Sequence, residues 1–173
     1  MWLSEHRQLM RRRSALLASL TAAAMVGCGF KLRSSQVFAF DRIAVTPQGG
    51  ANLVAELVRY LGDKVVPLSS PSASAPDVIF DIVQESREKT VVGVNASGQV
   101  REFQLRIRVK FRLRTPEGRD LILLTEIEQH RDVSFSEAAA LAKEAEEVLL
   151  YRDMQADIVQ QLLRRLAAIK RQD

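Results

Sequence analysis

The clearest pattern in the chain is an alternation of apolar and polar residues between Phe103 and Arg114. Successive side chains of a β-strand point to opposite faces of the sheet, so this pattern predicts a long strand with one apolar and one polar face. The polar positions are mostly cationic; they are Gln104, Arg106, Arg108, Lys110, Arg112 and Arg114. We therefore expect a sheet with one buried face and one basic face.

Two neighbouring segments predict that this strand is the centre of an antiparallel meander. A β-rich run from Val78 to Val94 ends in a turn at Asn95–Gly98, and Pro116–Gly118 fits a three-residue hairpin loop with glycine at the left-handed position. This loop would place Arg114 opposite Asp120. The same register pairs Arg108 with Glu126, Arg106 with Glu128, Leu113 with Leu121 and Phe111 with Leu123. In this register, apolar residues pair on one face of the hairpin and opposite charges pair on the other.

The basic face has two interpretations, and the sequence leaves both open. Most of the cations would lie opposite carboxylates, which is typical of a solvated, ion-paired sheet face. Lys110 and Arg112 are exceptions, because their predicted opposites, Leu124 and Ile122, carry no charge. These two cations are candidates for contact with a phosphorylated glycolipid.

The segment before the meander predicts a strand and a helix. Phe40 to Thr46 is the predicted first strand, ended by Pro47 and the glycines that follow. Leucines recur at four-residue spacing at positions 53, 57 and 61, with Asn52 as the predicted cap and Gly62 as the stop. Lys64 to Val66 predicts a short edge strand parallel to the first.

The C-terminal region predicts a long helix from about Ser136 to the end. Its apolar stripe steps by three or four residues and contains Val148, Tyr151, Met154, Ile158, Leu162 and Leu166, widened by Val159 and Leu163. This helix would cover the apolar sheet face together with the first helix. The predicted fold class is α+β, a two-layer sandwich with two helices packed on one face of a mixed, mostly antiparallel sheet.

The N-terminus has the pattern of a lipoprotein signal peptide. Arginines at positions 7, 11, 12 and 13 precede a short apolar stretch from Ser14 to Ala24, and Gly27 stands just before Cys28. Cys28 is the only cysteine, so neither an intramolecular disulfide nor a cysteine-based metal cluster can form. We predict cleavage before Cys28 and attachment of a diacylglycerol and an N-acyl chain to it. The predicted parts are residues 1–27 as signal peptide, 28–39 as lipid-anchored tether and 40–173 as a single domain.

Charge and composition argue against a nucleic-acid partner and against an enzyme. The sequence pI is 9.6, but four of the arginines lie in residues 1–27 beside Glu5 alone, which leaves 21 Lys and Arg against 20 Asp and Glu. No basic tail or patch of the kind that binds a nucleic-acid backbone remains. His130 is the sole histidine after Cys28, so we expect no metal site and no cofactor, and a hydrolase could use only His130.

Three stretches of the chain resemble the lipopolysaccharide-assembly lipoproteins called LptE or RlpB. Cys28–Arg33 is similar to the family's start, in which the lipidated cysteine is followed by glycine, an aromatic, any residue, leucine and arginine. Gly98-Gln99, Glu102–Gln104 and the turn from Pro116 to Asp120 resemble its central hairpin. Ala140–Lys143 with Glu146, then Met154 and Gln160–Leu166, resemble its terminal helix.

The resemblance implies a non-catalytic function at the outer membrane. Members of the family plug the lumen of the outer-membrane β-barrel LptD, act as chaperone-like partners in its assembly, and deliver lipopolysaccharide to the outer leaflet with it. Gly29 after the cysteine, in place of Asp, agrees with outer-membrane sorting in Gram-negative bacteria. The alternative hypothesis is a lipoprotein adaptor of another envelope transport complex.

The resemblance also implies residues that contact lipopolysaccharide. Lys143 matches the lysine of the family's Ala-Leu-Ala-Lys-x-x-Glu stretch, where an ammonium can meet lipid phosphates. The alternative is an exposed lysine paired with Glu147 four residues later. The family's second basic contact falls near Ala96, where this chain has no arginine, so Arg101, or Arg87 and Lys89, would replace it.

Overall fold

The structure is a computed structural model that describes residues 36–47, 51–69 and 75–170. The predicted signal peptide, Cys28 and most of the predicted tether lie outside these residues. The elements are β1 (Ile43–Pro47), α1 (Ala51–Leu61), β2 (Val78–Val94), β3 (Val100–Arg114), β4 (Asp120–Ser134) and α2 (Ala140–Ala167), with short 3-10 turns at Gly62–Lys64 and Glu137–Ala139. The predicted α+β class, with two helices and a mixed sheet, is confirmed.

The four strands form one sheet in the order β1-β2-β3-β4. β1 runs parallel to β2, and the three long strands form the predicted antiparallel meander. The predicted strand at Lys64–Val66 is wrong, because Lys64 belongs to a 3-10 turn and only Val65 forms a parallel bridge, to Ile43. The predicted cap at Asn52 is also displaced, since α1 already begins at Ala51.

β1 begins three residues later than the sequence predicts. The backbone N–H groups of Asp41 and Arg42 donate hydrogen bonds to one carboxylate oxygen of Asp77, at 3.0 and 2.9 Å, and so bind a side chain instead of a neighbouring strand. Burial alone would raise the pKa of Asp77, but these two bonds and the Arg42 side chain lower it below its ordinary value. Phe38, in the predicted tether, packs against the core and stacks on Phe40 at 5.2 Å between ring centroids.

The register between β3 and β4 differs from the prediction beyond its first pair. Arg114 lies opposite Asp120 as predicted, but Leu123 and Leu124 together face the single residue Arg112, which is a β-bulge. A second register shift lies between Leu113 and Arg114, so the Leu113–Ile122 pair is displaced by one residue and every pair beyond the bulge by two. Arg108 therefore lies opposite Glu128, Lys110 opposite Glu126, Arg106 opposite His130, Leu113 opposite Ile122 and Phe111 opposite Thr125.

The core lies between the sheet and the two helices. All inward side chains of the second half of β3, from Leu105 to Leu113, are buried, and α2 packs on them through a stripe that begins near Tyr151. The buried members of that stripe are Met154, Ile158, Val159, Leu162, Leu163 and Leu166. Val148 was predicted to belong to it but is 68% exposed. At 3.6 residues per turn, Val148 lies about 120° around the helix from Met154, which turns it away from the sheet.

The sheet has two ends that carry different residues. At the proximal end, defined by Ala39–Arg42, Thr115–Arg119 and Ile169–Lys170, the chain enters the fold beside the β3–β4 hairpin turn, and these segments border a common cleft. At the distal end, defined by Asn95–Gln99 and Ser134–Ala140, lie the β2–β3 turn and the start of α2. In the described ranges, no helix is long and apolar enough to cross a membrane.

A buried carboxylate on the outer sheet face joins three strands. Asp81 on β2 is 4% exposed, accepts hydrogen bonds from Arg112 at 2.7 Å and Arg114 at 2.8 Å on β3, and accepts another from the Thr46 hydroxyl on β1. Burial would raise the pKa of Asp81, but the bonds from Arg114, Thr46 and Arg112 outweigh it and lower the pKa. The arginines cover the carboxylate, so it is buried on a face that neither α1 nor α2 covers.

We predict that Asp81→Asn lowers the free energy of unfolding by about 2–3 kcal/mol at pH 7, less than a fully buried ion pair because both arginines remain partly hydrated. A lowered pKa in the folded state stabilises the protein above the ordinary value of 3.8 and ceases to do so as pH falls through the folded value. The difference between wild type and variant should therefore be full at neutral pH and shrink below pH 3.8 in urea titrations.

Asp120→Asn, at the exposed first residue of β4, is the matched control, with an expected change within about 0.5 kcal/mol. An Asp81→Asn variant as stable as Asp120→Asn at neutral pH would contradict the structural role of the carboxylate.

Candidate functional site

The distal end of the sheet contains a cavity of about 250 Å³ beneath the first two turns of α2. Its sheet side is apolar apart from Lys89 and Ser134, and its helix side is mostly charged. The lining residues are Lys89, Phe103, Leu105, Val133, Ser134, Phe135, Ala140, Lys143, Glu144 and Glu147. The cavity is amphipathic, and its two lysines are ion-paired with Glu147 and Glu146, so an anionic ligand with hydrocarbon chains would replace a carboxylate contact there.

An aromatic pair forms one wall of this distal cavity. The rings of Phe103 and Phe135 meet edge to face, with centroids 5.2 Å apart and planes at 79°. The backbone N–H of Phe135 donates to the Arg101 carbonyl at 2.7 Å, which fixes the segment after β4 beside β3. The Lys89 ammonium lies 4.5 Å from the centre of the Phe103 ring, within cation–π range.

Lys143 extends from α2 toward the end of β4. Its ammonium donates to the Ser134 hydroxyl at 3.1 Å and to the Glu146 carboxylate at 2.8 Å, and the side chain is 23% exposed. The alternative pair with Glu147 is not formed, because Glu147 accepts a hydrogen bond from Lys89 at 2.5 Å. Lys143 is thus held at the cavity rim, between the helix and the last residue of the sheet.

The remaining candidates for the second basic contact separate in space. Arg101 lies at the same distal end, beside Ser136 and Glu137, and its side chain makes no ion pair within the described residues. Lys89 lines the distal cavity itself. Arg87 does not line the cavity, because it pairs with Glu85 at 3.1 Å and donates to Gln155 of α2 at 2.8 Å. The structure therefore groups Lys143, Lys89 and Arg101.

Lys110 and Arg112 lie elsewhere, on the outer face of the sheet. Nine residues of strand separate Lys110 from Arg101, about 30 Å at ~3.3 Å per residue. Lys110 does not lie opposite Leu124 as predicted but opposite Glu126, with 3.9 Å between its ammonium and the carboxylate. Arg112 does face uncharged residues on β4, the two leucines of the bulge, but on its other side it donates to Asp81 of β2. The two register shifts bring Glu126 opposite Lys110, and β2 supplies Asp81 to Arg112. The basic face is thus an ion-paired face.

His130 and the acidic residues form no recognisable catalytic or metal constellation in the part of the chain that the structure describes. His130 is exposed, and its Nδ1 lies 3.9 Å from Glu128. No group of three or more His, Cys, Asp and Glu side chains is arranged to hold a metal among the described residues. Cys28, the predicted lipidation site, lies outside those residues, so its modification remains a prediction.

Sequence reasoning missed Ser134 and Phe135 and interpreted Phe103 only as a core residue. Phe103 lies opposite Val133, one residue before the end of β4, so the chain just after β4 can fold back beside the Phe103 ring. An isolated aromatic after a predicted strand gives no indication of such a return. The strand–strand register was the missing information.

Comparison with known proteins identifies the family. A family model described as LptE, lipopolysaccharide-assembly, matches residues 38–166. The LPS-assembly lipoprotein LptE of Photorhabdus laumondii is 28% identical over 158 residues, which cover 89% of this chain and 85% of that protein. The match of the family model extends from Phe38, which packs against the core, to Leu166, the last buried residue of α2.

Solved structures agree with this assignment. The solution NMR structure of an uncharacterized lipoprotein B from Nitrosomonas europaea is similar with a TM-score of 0.67 and 38% identity, over 81% of this chain and 91% of that one. A rare lipoprotein B from Shewanella oneidensis, 21% identical over 73% of this chain and 94% of its own, shares the fold with a TM-score of 0.58. The chain belongs to the LptE family of lipopolysaccharide-assembly lipoproteins.

Proposed function

We propose that this protein is an outer-membrane lipoprotein, anchored through Cys28 on the periplasmic side, that plugs an LptD-type β-barrel, assists its assembly and binds lipopolysaccharide during delivery. The observation that carries the proposal is the family match over residues 38–166, which spans almost the whole folded region. Members of this family are not enzymes, and the role we propose is structural and ligand-binding.

The outer face of the sheet supports the plug role. It is a lattice of charged and polar groups: Arg108 donates to Glu128 at 2.9 Å and to Glu88 at 3.1 Å, and Gln104 donates to Asp132 at 2.9 Å. The hydrogen bond from Arg108 lowers the pKa of Glu128, so this carboxylate stays charged. The lumen of an outer-membrane barrel is polar and hydrated, and a polar sheet face fits such a wall without burying unpaired apolar surface.

The distal cavity supports lipopolysaccharide contact by Lys143. The head of lipopolysaccharide carries phosphates beside acyl chains, and this end of the molecule offers cations beside Phe103 and Phe135. Binding would exchange the Glu146 contact of Lys143 for a phosphate. Arg101, which makes no ion pair in the described part of the chain, is the second contact that we propose. Lys110 and Arg112 are not retained, since both already face carboxylates.

We expect the lipoprotein to co-purify stoichiometrically with a large outer-membrane β-barrel from detergent extracts. Depletion of the lipoprotein should leave the barrel misassembled and the outer membrane more permeable, because the barrel then lacks its plug. Co-purification is measured by affinity purification of the lipoprotein, and outer-membrane permeability by uptake of a large antibiotic. Recovery of a different envelope transport complex in place of the barrel would instead favour the adaptor hypothesis.

We expect Lys143→Glu to weaken lipopolysaccharide binding about tenfold, equivalent to ~1.4 kcal/mol, because it replaces a phosphate-binding cation by a like charge. Barrel co-purification should be unchanged. Binding is measured as lipopolysaccharide photocrosslinked to the purified complex. Lys143→Ala, which removes the cation without repelling Glu146, should fold normally and show a smaller loss.

Arg152→Glu is the matched control for that experiment, since it reverses one exposed charge on the same helix away from the distal cavity. Equal lipopolysaccharide crosslinking in Lys143→Glu, Arg152→Glu and wild type would return Lys143 to the role of a surface lysine paired with Glu146.

A further inference from the structure

Two adjacent leucines project from the edge strand of the sheet. Leu123 and Leu124 are 73% and 60% exposed, and they are the two residues of the β4 bulge. A bulge ends the regular side-chain alternation, so neither leucine is turned into the core. An exposed pair of large apolar side chains on an edge strand is a contact surface for another apolar phase.

The edge at this bulge is poorly suited to adding a strand from another protein or from a second copy. The Thr125 hydroxyl donates to the Leu123 carbonyl at 2.7 Å, which occupies an acceptor that a new strand would need. The bulge also interrupts the even spacing of backbone groups. In an antiparallel pair of copies centred on Leu123, Asp120 and Glu126 would meet as like charges.

The leucine pair lies at the proximal end of the sheet, where the chain enters the fold. Across the sheet, the bulge faces Arg112, which pairs with Asp81, which in turn pairs with Thr46 of the short strand β1. Leu121, two residues before the pair, borders the same cleft as Phe40. The first described residues therefore lead away from the same end as the exposed leucines, and among them Val37 is 85% exposed.

The length of the proposed tether places this end next to a membrane. Eight peptide steps join Cys28 to Gln36 and span at most about 29 Å when fully extended. Along β3, the distance from Arg112 at the bulge to Val100 at the distal end is about 40 Å at ~3.3 Å per residue. An acyl anchor on Cys28 thus holds the proximal end near the bilayer and leaves the distal cavity free to point away.

We propose that, before the lipoprotein joins its barrel, Leu123 and Leu124 insert into the lipid surface that holds the Cys28 anchor, so that the fold stands on its proximal end. Arg119 and Lys170 at this end have no ion-pair partner within 4 Å in the described residues, and Glu117 and Asp120 share the hairpin turn with Arg119. The charges are thus nearly balanced, and the contact is apolar. It rests on the lipidation in the proposed function but not on lipopolysaccharide binding.

The test uses the acylated full-length lipoprotein in phosphatidylcholine vesicles that contain lipids with brominated acyl chains. Lipidation consumes the only cysteine, so one introduced cysteine is a unique site for a nitrobenzoxadiazole label. We expect quenching of the label at Leu123→Cys to be at least about twofold stronger than at Leu141→Cys, since side chains at an interface lie about 5–10 Å deep. Leu141, 83% exposed at the start of α2, is the distal control.

A second substitution tests the leucine pair itself. Leu124→Ser in the Leu123→Cys background should reduce the quenching, whereas Val148→Ser, an equally exposed position on α2, should leave it unchanged. Equal quenching at positions 123 and 141 overturns the inference. A leucine pair that becomes shielded from water only once the barrel is added overturns it as well.

The mass of the purified protein separates this inference from the proposed function. Intact acylation and barrel co-purification with equal quenching at both positions overturn the membrane contact alone. Absence of the acyl mass on Cys28 overturns it together with the anchoring part of the proposed function.

Discussion

The alternation of apolar and cationic residues along β3 is the constraint that organises the rest of the structure. Its apolar side is buried against α2, and its cationic side needs carboxylates on the neighbouring strands. β4 supplies Glu126 and Glu128 after two register shifts near the hairpin turn, and β2 supplies the buried Asp81. Because a one-residue slip would exchange the two faces, burial and charge pairing together fix β3 in its place.

The length of the strands separates two kinds of surface. At the proximal end are the point where the chain enters and the exposed leucines, which suit a membrane anchor and its immediate surroundings. At the distal end, Lys143 and Lys89 line an amphipathic cavity, and Arg101 lies at the same end beside Ser136 and Glu137. The outer sheet face between them is polar and internally paired, as a plug in a hydrated lumen requires. One sheet thus separates the surfaces for which we propose anchoring, plugging and ligand contact.

Cationic residues alone were a poor guide to the candidate site. Lys110 and Arg112 are two closely spaced cations of the kind that a phosphate site needs, yet both pair with carboxylates that come from elsewhere in the chain. Lys143 was indicated by the family's motif, but its surroundings, from Ser134 to the Phe103–Phe135 pair, depend on how the chain returns after β4. A charge pattern shows which residue types lie on a face, but it does not show which residues they pair with.

The sequence by itself determined the fold class, the long strands, the two helices and the family, because side-chain periodicity and local motifs are properties of neighbouring residues. Only the tertiary structure decided the register beyond the hairpin turn, the partner of Asp81, the exposure of Val148 and the composition of the distal cavity. Each of these depends on residues brought together from distant parts of the chain. Two register shifts of one residue each, which no local pattern predicts, change which cations are paired.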